Sequence, residues 1–315
     1  MRICSLLPGA TEVVAALGRS DDLVAVSHEC DFPPEVRNKP VMVRALIDPE
    51  RTSSHTIDDQ VRATVQAGQQ LYALDEAVLT RARPDLVITQ NLCHVCAVTP
   101  DQLQRAISAL PTPPRVMSLN PTCLDDILLD IEQIGDAIGS EVEADRMASA
   151  LRARLNSLRE QVARAQSRPK VVCIEWLDPL YVAGHWVPEM VTVAGGVDPL
   201  GSASRPSKQV TWAEILGSAP DVLVLMPCGF SIERTVRELN CLTARQGWAS
   251  LPAVRNGKVF AVDAASYFSR PGPRLIEGVA ILVALCHPAI FGETLPAGVQ
   301  RIDLHNHSSH VTSIP

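Results

Sequence analysis

The sequence predicts an α/β protein of two lobes, each built on a parallel sheet, with one long helix joining them. Three observations predict it. Short β-branched runs alternate with helical patterns along most of the chain, the mark of parallel strands covered by helices. The runs fall into two groups. Between the groups, at residues 120–168, lies the strongest helical periodicity in the sequence.

The first group of expected strands is Arg2–Leu6, Leu23–Ser27, Leu86–Thr89 and Arg115–Leu119; the second is Lys170–Ile174, Val222–Met226 and Lys258–Val262. In the intervening stretch Met147, Leu151, Leu155, Leu158 and Val162 recur at steps of 4, 4, 3 and 4 with charges between them. A capping box, Ser140-x-x-Glu143 just after Gly139, starts the helix, and Pro169 stops it. About 25 residues at 1.5 Å each would span about 37 Å, a rigid connector. The expected domains are therefore a lobe at 1–138, the helix at 139–168, a second lobe at 169–292, and a polar, poorly ordered tail at 293–315 with His305, His307 and His310. The flanking regions also echo each other: Arg83-Pro84-Asp85-Leu86-Val87-Ile88 matches Ala219-Pro220-Asp221-Val222-Leu223-Val224. Proline ends a helix, Asp turns the chain and a buried strand follows. The echo reads either as two similar lobes or as a common helix-to-strand connection.

With 315 residues, 46% apolar and 20% charged, the chain can bury a sizeable core and lacks the composition of disorder. A net charge of −7 without a long basic block argues against a nucleic-acid partner. No stretch approaches the ~18 apolar residues of a membrane span, and the opening residues Met1–Pro8 lack the features of a signal peptide, so the chain as given reads as cytoplasmic. Nine cysteines are an odd set scattered over a long chain, which favours reduced thiols over a disulfide framework.

In open α/β sheets, ligands bind beyond the carboxyl ends of the strands. That rule selects His28-Glu29-Cys30-Asp31-Phe32, Gln90 to Cys96, Glu175-Trp176-Leu177-Asp178 and Pro227-Cys228-Gly229-Phe230. Cys93-x-x-Cys96 has the spacing to chelate a soft metal such as zinc or cobalt, with His28, Cys30, His94, His185 or Cys228 to complete the set; the alternative is two buried thiols beside a turn. The loop Asp178–Glu189 holds Tyr181, His185 and Trp186, and Trp176 lies close by. Such aromatics beside a cleft suit a large planar or apolar ligand, or else they pack the loop onto its own lobe. Ser269-Arg270-Pro271-Gly272-Pro273-Arg274 offers two guanidinium groups to an anion, or to surface salt bridges. Nucleophile elbows, phosphate loops, His-Glu-x-x-His and dinucleotide fingerprints are missing.

Ser5-Leu6-Leu7-Pro8-Gly9-Ala10-Thr11-Glu12 with Leu17-Gly18, Leu23–Ser27 and Cys30-Asp31-Phe32-Pro33-Pro34 resembles the opening of cobalamin and iron-siderophore substrate-binding proteins of ABC importers. Arg83–Ile88, the long helix, Ala194-Gly195-Gly196-Val197, Val210–Ile215 and Pro273-Arg274-Leu275 extend the resemblance, in order, over about residues 1–290. It implies two Rossmann-like lobes on a backbone helix, the class III periplasmic-binding-protein-like arrangement, with a ligand held in the cleft and an ABC permease as partner. The stretch Ile47–Leu74 looks inserted relative to that family, whose members are usually exported or lipid-anchored.

The resemblance further implies a non-catalytic cobalamin or corrinoid binder, serving an ABC importer or a cytoplasmic carrier derived from such a protein, whose contacts come from His28, Glu29 and Phe32, from Trp176, Tyr181, His185 and Trp186, and from Tyr267 and Arg270, with Phe230 added by the strand-end rule. Two alternatives stand beside it. One is a cytoplasmic metal-dependent enzyme with Cys93, Cys96, His28 and Cys30 or Glu29 around zinc. The other is a siderophore or haem binder using Arg270 and Arg205.

Overall fold

The computed structural model describes residues 1–49, 52–90 and 99–302. They form two compact units, Met1–Arg154 with Arg270–Leu275 and Leu155–Ser269 with Ile276–Pro315. The division falls inside the helix Glu141–Val162, and six residues from late in the chain belong to the first unit.

The first unit contains β1 (Ile3–Ser5), β2 (Leu23–Ser27), β3 (Val41–Ala45), β4 (Tyr72–Leu74), β5 (Leu86–Gln90) and β6 (Arg115–Leu119), in the spatial order β4-β3-β2-β1-β5-β6. The chain works outward from β1 to β4, then returns to lay β5 on the other side of β1. The β1–β5 boundary is thus the point where strand order reverses, and where an open sheet of this kind leaves a crevice at its carboxyl edge. Cys4, Ala25, Met42 and Val87 are buried beneath helix residues Val78, Leu79 and Leu103, which explains why these strands read as continuous apolar runs.

The second unit contains β7 (Val171–Trp176), β8 (Tyr181–Val182), β9 (Lys208–Gln209), β10 (Val222–Leu225), β11 (Val259–Val262) and β12 (Val299–Arg301), in the order β12-β11-β10-β7-β8-β9. β7, β10 and β11 are parallel, and every residue of β10 and β11 is buried.

All seven strands expected from the sequence are present. The sheets are nevertheless mixed rather than parallel: the edge strands β4, β9 and β12, and β8 next to β9, run antiparallel to their neighbours. The stretch read as an insertion holds a helix, Ser54–Gln66, whose start is capped by the Ser53 hydroxyl accepting from the Thr56 N–H, and then β4. Residues 293–302, expected to begin a poorly ordered tail, carry β12 and the buried Ile302, because Phe260, Ala261 and Val262 pair with Arg301, Gln300 and Val299. His305, His307 and His310 lie outside the described residues.

The long helix spans 22 residues. Its start packs on the preceding helix Leu124–Ile138, where a Cβ added to Gly135 would sit 2.2 Å from the Ala144 Cβ. Ala144 and Ala148 are fully buried while Met147 is only partly so, since small residues are what a close approach of two helices admits. Leu155, Leu158 and Val162 are buried as their spacing predicts.

The two echoed segments are built alike in three dimensions. Arg83 and Ala219 each end a helix in the left-handed conformation, at φ 41° and 46°. Asp85 then accepts from the Arg2 N–H at 2.7 Å and returns its own N–H to the Arg2 carbonyl at 2.8 Å. Asp221 does the same with Lys170, at 2.8 Å in both directions. Each aspartate therefore fixes where the unit's central strand begins.

Candidate functional site

In the first unit the carboxyl edge of the sheet is formed by the end of β1, the loop after β2 and the segment Arg270–Leu275. Pro8 at the first turn of helix Pro8–Ala16 suits its fixed φ, and Gly9 permits the segment to cross: a Cβ there would lie 2.0 Å from the Pro271 carbonyl oxygen. Thr11 donates to the Ser5 hydroxyl at 2.8 Å and lies 3.0 Å from the Cys30 sulfur.

Two carboxylate–arginine pairs dominate this edge. The Arg274 guanidinium holds Glu12 through two hydrogen bonds of 2.9 and 2.6 Å, and Arg270 Nη1 donates to Asp31 Oδ1 at 2.5 Å. Burial pushes the Glu12 carboxyl above its usual range, while the hydrogen bond and charge of Arg274 pull it back. Arg274 also lies 4.1 Å over the Phe32 ring, a cation–π contact that leaves Phe32 41% exposed. Sequence reasoning singled out both arginines and missed their partners. The available signal was Glu12 itself, a carboxylate on an otherwise apolar helix, which requires a cation once that helix is buried.

His28 is half-buried, its Nδ1 3.1 Å from the Val43 carbonyl oxygen and its ring 6.1 Å from Tyr72; Glu29 is exposed. Cys30 is buried and burial pushes its thiol up to about 11, so it is a poor thiolate donor to a metal. Cys93, His94 and Cys96 lie outside the described residues. Among the described residues no group of three or more His, Cys, Asp or Glu side chains is placed to hold a metal ion, and the seven described cysteines are free thiols.

In the second unit the corresponding edge carries Trp176 at the end of β7, half-buried, its ring 5.1 Å from Phe230. Phe230 is 1% exposed and lies beneath the Arg234 guanidinium, 4.5 Å away; Arg234 is in turn paired with Glu238. Tyr181 begins β8 and is half-buried. His185 has a left-handed backbone, φ 52°, fixed by two bonds: its N–H donates to the Arg205 carbonyl at 2.6 Å and its carbonyl accepts from Ser204 at 2.9 Å. Gly184 makes that turn possible, because a Cβ would meet the Arg205 oxygen at 2.3 Å. Partial burial lowers the pKa of His185, which favours the neutral imidazole.

Trp186, expected from the sequence to face a ligand, is 6% exposed, and its indole N–H donates to the Phe268 carbonyl at 2.8 Å. It braces the loop from below, 5.7 Å from the His185 ring. Tyr267 is half-buried on the short helix Ala264–Tyr267, whose start is capped by Asp263 accepting from the Ser266 N–H at 2.9 Å. Arg205 is exposed. No helix of the described residues is long and apolar enough to cross a membrane.

A family model described as periplasmic binding protein matches residues 3–265. The vitamin B12-binding protein of Vibrio cholerae is 28% identical over 279 residues, covering 88% of this chain and 86% of its own. An uncharacterized ABC transporter substrate-binding lipoprotein, YvrC of Bacillus subtilis, is 25% identical over 298 residues, covering 93% and 82%. Among solved structures, the periplasmic vitamin B12 binding protein BtuF of Vibrio cholerae superposes with a TM-score of 0.65 at 24% identity, over 91% of this chain and 97% of that one. The periplasmic heme-binding protein RhuT from Roseiflexus does so at 0.69 and 23% identity, over 92% and 98%. At such identities the solved structures speak for the fold.

Proposed function

We propose that this chain, which belongs to the periplasmic binding protein family, is the substrate-binding component of an ABC importer and that its ligand is cobalamin or a closely related corrinoid. The observation that carries the ligand assignment is the extent of its agreement with vitamin B12-binding proteins, which spans 279 residues and so reaches into both units rather than resting on one motif. The chemistry of those loops supports it. Trp176, Tyr181, Tyr267 and the exposed Phe32 ring offer flat apolar faces to a macrocycle, and His28, Glu29, His185 and Arg270 offer polar atoms to its amide periphery. Trp186 and Phe230 serve as supports under His185 and Trp176, since both rings are buried.

Such a role asks for no covalent step; ligand burial and aromatic contact supply the affinity. A second reading, a haem or siderophore binder, draws on the heme-binding proteins among the structural neighbours and on the exposed Arg205. Titration of the purified protein with cyanocobalamin, followed by calorimetry and the visible spectrum, tests the assignment. Saturable one-to-one binding with a dissociation constant of about 1 μM or below is expected. No heat and no spectral change at high micromolar cyanocobalamin would overturn it, and saturable binding of hemin in the same assay would favour the second reading.

A further inference from the structure

The first unit's carboxyl edge holds cations and spends them. Arg270 and Arg274 are the two guanidinium groups that the proline-rich segment brings to the ends of β1 and β2, and each meets a carboxylate, Asp31 at 2.5 Å and Glu12 at 2.9 and 2.6 Å. The pairs differ in exposure. The Glu12 side chain is 4% exposed and serves the packing of its helix, whereas Asp31 is 40% exposed and holds Arg270, itself 12% exposed, from the solvent side. The carboxylates make the difference, since Arg274 is itself 20% exposed: a guanidinium held by a buried carboxylate is a structural pair, and one held by a carboxylate at the surface is a pair that a ligand can enter.

We infer that Asp31 is a specificity-determining residue: by occupying Arg270 it leaves this edge suited to a macrocycle whose periphery ends in neutral amides and unsuited to one whose periphery ends in carboxylates. The inference rests on the macrocycle reading above. A ligand carboxylate approaching Arg270 must displace Asp31 and come to lie beside it, so two like charges share one cation. An amide has no such conflict, because its carbonyl oxygen accepts from the remaining guanidinium N–H groups and its NH₂ donates to the free lone pairs of the Asp31 carboxylate. Glu29, exposed two residues before Asp31, adds a second negative charge to the same loop.

A pair of corrinoids that share the ring and differ at its periphery isolates the effect: dicyanocobinamide, with amide side chains, and dicyanocobyrinic acid, with free carboxylates. The wild-type protein should bind the amide form more tightly by at least about tenfold. Asp31→Asn should tighten the carboxylate form by about tenfold without tightening the amide form, whose acceptor at residue 31 it weakens, and the gain should shrink as salt rises. Adding Arg270→Gln to Asp31→Asn should abolish that gain. This last comparison separates a charge effect from a fold defect, and circular dichroism of each variant checks that it is folded. Equal changes for both corrinoids in Asp31→Asn, an unchanged preference, or a gain that persists in the double variant would overturn the inference and leave the macrocycle reading intact. Failure of the wild type to bind either compound would overturn both.

Discussion

Glu12 and Arg274 lie 262 positions apart in the chain and are joined by two hydrogen bonds, with the carboxylate almost wholly removed from solvent. The pair ties the helix after β1 to a segment made near the end of the chain. Arg274→Leu, which leaves that carboxylate buried without its cation, should cost about 3–5 kcal/mol. Glu12→Gln should cost less, about 1–2 kcal/mol, because an amide still accepts from the guanidinium. Urea unfolding of both variants gives the order, and equal costs would mean that the ion pair does not hold the segment.

Asp130, on helix Leu124–Ile138, gives the protein a pH response. Burial, with the charge of Asp126 one turn earlier adding to it, pushes its carboxyl up to about 7. Below about pH 4 the group is protonated in both the folded and unfolded states. Between there and pH 7 the folded protein retains a proton that the unfolded chain releases, so the contribution of Asp130 to stability should fall as pH rises through this window and level off above it. Asp130→Asn should flatten the profile and raise stability at pH 8 by on the order of 1–3 kcal/mol, allowing for partial solvation of the site. Chemical denaturation of wild type and Asp130→Asn at a series of pH values reads this directly, and a stability difference between the two that does not grow from pH 4 to 7 would contradict it.

Trp176 and Trp186 should separate binding from support. Trp176→Ala should weaken cyanocobalamin binding by about tenfold or more, through loss of a flat contact face. Trp186→Phe removes the donor to the Phe268 carbonyl and should cost about 1–3 kcal/mol of stability, with affinity changed by less than about threefold. Thermal melts and ligand titrations on the two variants distinguish the roles.

Gly9→Ala tests the crossing of the proline-rich segment. With a Cβ placed 2.0 Å from the Pro271 oxygen, the segment must move, at about 1–3 kcal/mol. Hydrogen exchange should show lost protection at Arg270–Leu275 and at Ser5–Thr11, and unchanged protection in β10 and β11.

What was legible in the sequence followed burial. Val222–Leu225 and Val259–Val262 are covered on both faces, so they read as unbroken apolar runs, and the same holds for Leu86–Ile88. The strands at the margins gave no such signal: Lys208–Gln209 is two exposed polar residues, and Val299–Arg301 is a strand only because Phe260–Val262 offers it an edge. The long helix announced itself through Leu155, Leu158 and Val162, but its buried Ala144 and Ala148 went unread, since alanine carries little hydrophobic signal. At the candidate site the segments at strand ends were placed by a general rule of α/β sheets, and His28 follows β2 while Trp176 closes β7; Tyr181 begins β8 instead. The depth of Trp186 was not legible, because an aromatic on a loop looks the same whether its ring points outward or donates to a carbonyl 82 positions away. The match of Arg270 with Asp31 was hidden for the same reason, at a separation of 239 positions.

The contribution of Arg270–Leu275 to the first unit has a consequence for the order in which the protein matures. On a ribosome, residues 1–154 emerge long before residue 270, so the amino-terminal sheet and its helices can collapse while Glu12 still lacks its counter-ion and the groove over Gly9 stands open. Only after residues 155–269 have been made does the missing strap arrive. The amino-terminal half is made first and completed last, and a chain truncated before residue 270 should therefore yield a soft, protease-sensitive fragment rather than an independent module.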